Sequence, residues 1–239
     1  MIQQVTRKRY HAPLSSPGRA IDIATGTGIW MMEMAADFPE CEFLGIDIAQ
    51  LQPTTILPKN CTFKCANILE GLSYPDGYFD YVRHSLLVTA FSKENWSSYI
   101  KECARVCASE GWIEMIEITG LHQGGGPAVK KFFELLTGAL RKRGSSPETT
   151  EVLDELMLET GLADVQAKEF KLPFGSRGGS AGMLFLKDVR MLHAALTPLY
   201  MSMHCMTREE VEQIMLQLEE EVENCDAYGI LRIYIGRKP

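Results

Sequence analysis

Short apolar runs alternate with amphipathic stretches along this chain, the rhythm expected of a parallel sheet covered by helices on both faces. The runs predict strands at about 19–24, 42–47, 61–65, 79–84, 111–118 and 164–171, with a first helix near 28–37. Tyr228 to Ile235 alternates around Ile230, Ile233 and Ile235 and predicts a seventh strand. Two helical stretches interrupt the rhythm. One runs from Ala128 to Arg143 after Gly124-Gly125-Gly126-Pro127 and continues past Ser145-Ser146-Pro147 into a helix ending near Gly161. The other spans Ala181 to Tyr200 after Gly178-Gly179-Ser180. A further helix, to about Asn224, opens on Thr207-x-x-Glu210, a capping-box pattern. The fold class is α/β, read as one domain over 1–239 with an N-terminal arm at 1–17.

The junction of the first strand and first helix carries the most chemistry. Asp22-Ile23-Ala24-Thr25-Gly26-Thr27-Gly28-Ile29-Trp30 is a strand ending in a carboxylate, a glycine-bearing turn and a helix start. Gly26 and Gly28 lack a Cβ and accept positive φ, so a ligand can lie against bare backbone, and the helix start offers unpaired N–H groups. A dinucleotide fingerprint needs a third glycine where this chain has the bulky Ile29-Trp30-Met31. Taken alone, the turn admits a dinucleotide, another nucleotide-like cofactor, or an ordinary strand-turn-helix connection.

Later strand ends narrow the choice. Asp47 closes the second strand about 20 residues beyond the turn, where Rossmann-like sites place a carboxylate on ribose hydroxyls. Two acceptor oxygens and no donor suit a vicinal diol, and Ile48 follows it. Asn67 and Ile68 leave the third strand; the amide carbonyl can accept from an adenine amine and Ile68 can pack on the base, though a simple turn asparagine reads almost as well.

The spacing D-x-(G/A)-x-G-x-G resembles motif I of the class I S-adenosylmethionine (SAM) methyltransferases, with Ala24 in place of the usual first glycine. Tyr74-Pro75-Asp76-Gly77-Tyr78-Phe79-Asp80, followed by Tyr99 to Val106 and Glu110-Gly111-Trp112-Ile113-Glu114, resembles their fourth strand, next helix and fifth strand. Gly26-Thr27-Gly28-Ile29-Trp30, Gln52-Pro53, Pro58-x-Asn60-Cys61-x-Phe63, Gly111-Trp112-Ile113-Glu114 and the terminal Gly236-Arg237-Lys238-Pro239 are similar to the fungal LaeA-like methyltransferases. The resemblance implies a Rossmann-like, seven-stranded, mostly parallel sheet whose antiparallel last strand inserts between strands five and six. It implies SAM as cofactor, with Asp22, Ala24, Thr25, Gly26, Gly28, Asp47, Ile48, Asn67, Ile68 and His84 around it.

Composition trims the alternatives. With 46% hydrophobic and 23% charged residues, the chain can bury one substantial core. No apolar run approaches the roughly 20 residues of a membrane span and no signal-peptide core is visible, so a cytoplasmic protein is expected, or a nuclear one under a regulatory reading. Seven cysteines, an odd number, read as reduced thiols, and the spacings of Cys61 with Cys65 and Cys103 with Cys107 are not zinc signatures; the second pair is expected on one helix face and no metal is expected. A net charge of −7 argues against nucleic acid. Arg7-Lys8-Arg9 is read as part of a mobile, solvated arm, and Arg141-Lys142-Arg143 as a helix end.

Methyl transfer from SAM makes few demands: an aligned nucleophile, exclusion of water and at most one proton to manage. Candidate bases are His84, at the end of the fourth strand, Glu117, near the end of the fifth, and His122 in the loop after it, all expected at the sheet edge that binds ligands. Substrate recognition is expected in helical cap segments at 120–160 and 176–204, through Met183, Met191, His193 and Tyr200, with Tyr10 closing from the arm. Relatives usually have more N-terminal helix over the cofactor, so either an open pocket or a homodimer or protein partner completing it is expected. The reading is methyl transfer to a small, largely apolar secondary metabolite. The alternatives are a LaeA-like regulator that binds SAM and partner proteins, and a SAM-fold enzyme with other chemistry.

Overall fold

The computed structural model describes residues 1–53 and 57–239, with 120–122 described only as backbone within a strand. Seven strands form one sheet: β1 (Arg19–Ile23), β2 (Glu42–Asp47), β3 (Cys61–Cys65), β4 (Phe79–Ser85), β5 (Cys107–Gln123), β6 (Ala163–Pro173) and β7 (Tyr228–Arg237). Their order is β3-β2-β1-β4-β5-β7-β6. β1 through β5 pair parallel. β7 takes the expected antiparallel place between β5 and β6: Glu110 N–H donates to Lys238 O (2.7 Å) and Lys238 N–H returns to Gly111 O (2.9 Å). The helices are α1 (Ile2–Thr6), α2 (Ile29–Asp37), α3 (Lys93–Val106), α4 (Pro127–Lys142), α5 (Leu153–Glu159), α6 (Gly179–His204) and α7 (Arg208–Asn224). The first half of the predicted helical continuation past Pro147 is a 3-10 turn, Pro147–Glu151, leaving α5 a separate short helix.

The chain forms two compact units. A strand-rich unit holds Arg9–Glu117, Val152–Lys168 and Ile233–Pro239; a helical unit holds Met1–Lys8, Ile118–Glu151 and Glu169–Arg232.

In the strand-rich unit, α3 is amphipathic at helical spacing and buries Trp96, Tyr99, Ile100, Cys103 and Ala104 against β1 and β4 residues such as Ile23 and Val82. Ser92 caps it, accepting from Asn95 N–H at 3.3 Å. α2 buries Met31, Met34 and Ala35. The Asn60 amide closes its far end by donating to Ala35 O, Phe38 O and Cys41 O at 3.3, 3.2 and 2.9 Å, which accounts for that asparagine in the sequence pattern. Asp80 holds the start of β1, accepting from Gly18 and Arg19 N–H at 2.7 and 2.9 Å.

In the helical unit, the Glu221 carboxylate of α7 accepts from Gly126, Ala128 and Val129 N–H at 3.0, 3.2 and 2.7 Å, capping α4 from another helix. The Thr207 and Glu210 capping box that opens α7 is formed as its sequence pattern predicts. α6 continues through Pro198 to His204, longer than predicted.

Among the described residues no helix is long and apolar enough to cross a membrane, and no cluster of three or more metal-ligating side chains occurs. The cysteines are free, and burial pushes the Cys41 and Cys107 thiols up to about 12 and Cys61 to about 11, leaving these three protonated and unreactive at neutral pH. Cys107 is not on the α3 face with Cys103: it ends the helix and pairs with Phe79 in β5.

Candidate ligand-binding cleft

A cleft of about 200 Å³ opens in the strand-rich unit at the carboxyl ends of β1 and β2. Ala24, Asp47, Ile48, Asn67 and Ile68 line it on one side, and Leu87, Ala90 and Phe91 on the other. Open α/β sheets bind ligands at such a place, because strand ends and helix starts leave backbone groups unpaired there. The walls are mostly apolar, with Asp47 the one carboxylate.

The turn after β1 is held by side chains on every side. Thr25 N–H donates to Ile46 O (2.9 Å), Gly26 N–H to Asp47 Oδ2 (2.8 Å), and the Gln52 amide to Gly26 O (2.8 Å). Asp47 Oδ1 also accepts from Ala49 N–H at 2.9 Å. Each Asp47 oxygen therefore takes one backbone donor and keeps a lone pair for another. The two glycines have different work. A Cβ on Gly26 (φ 57°) would meet nothing within 4 Å, so this residue offers bare backbone to open space. A Cβ on Gly28 (φ 74°) would lie 2.4 Å from the Phe63 ring, so its missing side chain makes room for Phe63 rather than for a ligand. Ala24 also sits in the left-handed region, φ 54°, a conformation that glycine adopts with less strain.

Asp22 does not line the cleft. It is 3% exposed, and its oxygens accept from Arg83 Nη1 (2.6 Å) and Thr25 Oγ1 (2.7 Å). Strand register sets Asp22, Arg83 and Glu114 side by side on β1, β4 and β5, an acid-base-acid row inside the sheet. The Arg83 guanidinium also lies 3.9 Å over the Trp30 ring. Glu114, fully buried, accepts from His11 and Ala12 N–H at 2.7 and 2.8 Å. Burial pushes its carboxyl above the usual range, opposed by Arg83 and these two donors.

That contact fixes residues 9–12, which the sequence reading left in a mobile arm. Trp30 Nε1–H donates to Arg9 O (2.6 Å), Arg9 pairs with Asp37 and Glu33, and Tyr10 packs edge-on against Phe38. Tyr10 is thus docked on the end of α2 and not on the cleft.

His84 and Glu117 are corrected as candidate bases. His84 is 1% exposed and Glu117 wholly buried, so neither is presented to a substrate. Tyr99 Oη lies 2.9 Å from His84 Nδ1, and His84 Nε2 lies 3.1 Å from Glu117 Oε1. The Glu117 carboxylate accepts from Leu87 and Val88 N–H at 2.6 and 3.0 Å. The His122 side chain lies outside the described residues, its backbone falling within β5 and not in a loop after it. Asn67 lines the cleft, but its carbonyl oxygen already accepts from Leu69 N–H (3.1 Å) and its amide donates to Glu70 (3.1 Å), so the turn-asparagine role is filled.

In the helical unit the expected substrate contacts separate. Met183 and Met191 are 50% and 62% exposed on α6. His193 and Tyr200 are interior: their rings stack 5.1 Å apart, Phe132 flanks His193, and His193 Nε2 lies 3.0 Å from Val211 O. Burial lowers the His193 pKa, keeping the ring neutral. Both are core residues here. Sequence reasoning missed Arg83, Trp30 and Phe63 as supports, and Leu87 and Phe91 as lining, because what each of them meets lies far along the chain. The Gln52-Pro53 pair was visible and its function was not.

Residues 20–111 match the methyltransferase domain family. The chain is 27% identical over 165 residues to Methyltransferase str3 of Strobilurus tenacellus, covering 67% of this chain and 58% of that protein. It is 24% identical over 254 residues to the secondary metabolism regulator LaeA of Aspergillus fumigatus, covering 100% of this chain and 67% of that protein. Among solved structures, phosphoethanolamine N-methyltransferase 2 of Haemonchus contortus, in complex with phosphomonomethylethanolamine and S-adenosylhomocysteine, aligns with a TM-score of 0.59 at 13% identity, covering 100% of this chain and 51% of that one. The chain spans 58% of the length of the first of these relatives and 51% of that of the nematode protein.

Proposed function

We propose that this chain binds SAM in the strand-rich unit's cleft and transfers its methyl group to a small, largely apolar metabolite, a reading supported by the methyltransferase-domain match and the similarity to fungal methyltransferases and LaeA. The observation that carries the reading is Asp47. Its carboxylate faces the cleft, each oxygen keeps free acceptor capacity, and it also fixes the adjacent Gly26 turn. Those features fit a ribose diol. The apolar walls at Ile48 and Ile68 fit a purine, and the unobstructed backbone at Gly26 fits the amino-acid portion of the cofactor.

When bound, the sulfonium supplies a methyl group that is already activated. The protein's share is to bind, align and exclude water: Asp47 orients the ribose, the Gly26 turn and the Leu87 to Phe91 segment enclose the cleft, and Asn67 holds the floor through its contact with Leu69. No proton is routed through His84 or Glu117, which are sealed from solvent.

Calorimetry tests the cofactor assignment. Wild type is expected to bind SAM and Asp47→Ala to lose binding; equal affinities would refute the assignment. Purified protein incubated with SAM and a chemically diverse acceptor panel is then expected to yield a product heavier by one methyl group and an equal amount of S-adenosylhomocysteine. Binding without methylation across the panel would favour a regulatory protein that retains the cofactor.

A further inference from the structure

We propose that Glu117 is a positioning residue for the cofactor cleft, holding the turn after β4 in the conformation that brings Leu87, Ala90 and Phe91 to its wall. The inference rests on the cleft being the SAM site.

The β4–β5 ladder continues as far as Leu86, whose N–H donates to Ile116 O (2.8 Å). There the backbone turns through φ 61°, a left-handed conformation that is strained for a residue with a Cβ. The next two N–H groups, of Leu87 and Val88, leave the ladder inside the protein, where both residues are buried. Unpaired, two such donors would favour a different turn. Glu117 takes both, at 2.6 and 3.0 Å, with one carboxylate whose charge strengthens each bond. The Ala90 N–H to Leu87 O bond (2.8 Å) then closes the turn, and Phe91 enters the aromatic cluster with Trp96 and Tyr99.

Behind Glu117 the contacts run back to α3: Tyr99 Oη lies 2.9 Å from His84 Nδ1, and His84 Nε2 lies 3.1 Å from Glu117 Oε1 without the alignment of a hydrogen bond. Glu117 acts on the cofactor only through the backbone of residues 87 and 88.

Glu117→Gln keeps the shape but leaves one acceptor oxygen for two amides. Two readouts apply: SAM affinity by calorimetry, and amide hydrogen exchange of Leu87 and Val88 by NMR. In Glu117→Gln, exchange at both amides is expected to accelerate, and SAM binding to weaken, each by about tenfold or more, with the amides of β1 and β2 unchanged. Should that variant not fold, Glu117→Asp, which keeps the charge but draws the carboxylate back by one carbon from the two amides, is expected to move both readouts in the same direction by about threefold. Unchanged exchange and affinity in the folded variant would overturn the proposal. Wild type that fails to bind SAM would overturn the cofactor assignment alone, since the exchange measurement still reports Glu117's hold on the turn.

Discussion

The wall of the cleft built by the glycine turn is organised around residues that advertise themselves: Asp22, Gly26, Gly28 and Asp47 stand at strand ends in a spaced pattern. The facing wall, Leu87 to Phe91, is made of ordinary apolar residues and owes its shape to a carboxylate 30 positions downstream of Leu87. The first wall binds with its own polar groups, and the second receives its form from a side chain that never reaches the cleft. Chemistry at the first should therefore fail by loss of contacts, and at the second by loss of shape.

The largest expected effect breaks the support beneath the turn. Arg83→Leu leaves Asp22 buried without its guanidinium and should cost about 3–5 kcal/mol in urea unfolding. A loss below about 1 kcal/mol would show that the turn wall stands without its ionic row. Asp47→Ala acts at the contact itself. It removes a diol acceptor and releases Gly26 and Ala49 N–H, and should weaken SAM by about 2–3 kcal/mol, on the order of 30- to 160-fold, measured calorimetrically. A paired glycine experiment sharpens the contrast within the turn. Gly28→Ala should cost about 1–3 kcal/mol of stability as Phe63 is displaced, whereas Gly26→Ala should cost about 1 kcal/mol, from backbone strain alone, and block SAM. Equal behaviour of the two variants would dissolve the division of labour drawn between them. The smallest change is Ala24→Gly, which relieves the left-handed alanine and should raise stability by up to about 1 kcal/mol in thermal unfolding with SAM affinity preserved.

The sheet was legible because its strands are short apolar runs bounded by turn residues, and burial along β1, β2 and β4 follows those runs. The Thr207 capping box was legible because both partners lie within one helical turn. The candidate site was legible only in part. Asp47 and Ile48 line the cleft as the pattern suggested, while Asp22, placed by the same pattern, faces Arg83 across the strand. Spacing along one strand cannot tell which face a carboxylate takes when its partner is 61 residues away. His84 shows the same limit: a histidine at a strand end reads as solvent-facing until Trp96 and Tyr99, on a helix that follows it, cover the ring. Residues 9–12 read as loose because no local pattern marks the Glu114 carboxylate that receives them.

The row of Asp22, Arg83 and Glu114 carries an evolutionary consequence. Three neighbouring strands place acid, base and acid in one dry layer, and the arginine is the shared partner: its loss leaves two buried carboxyl groups without a cation, whereas loss of either acid still leaves Arg83 beside the other. A lineage should therefore change an acidic position before Arg83, and Glu114 only after relocating the segment that it secures. Descendants of a common ancestor should consequently keep Arg83 wherever either acid remains, while the surrounding apolar positions drift one by one.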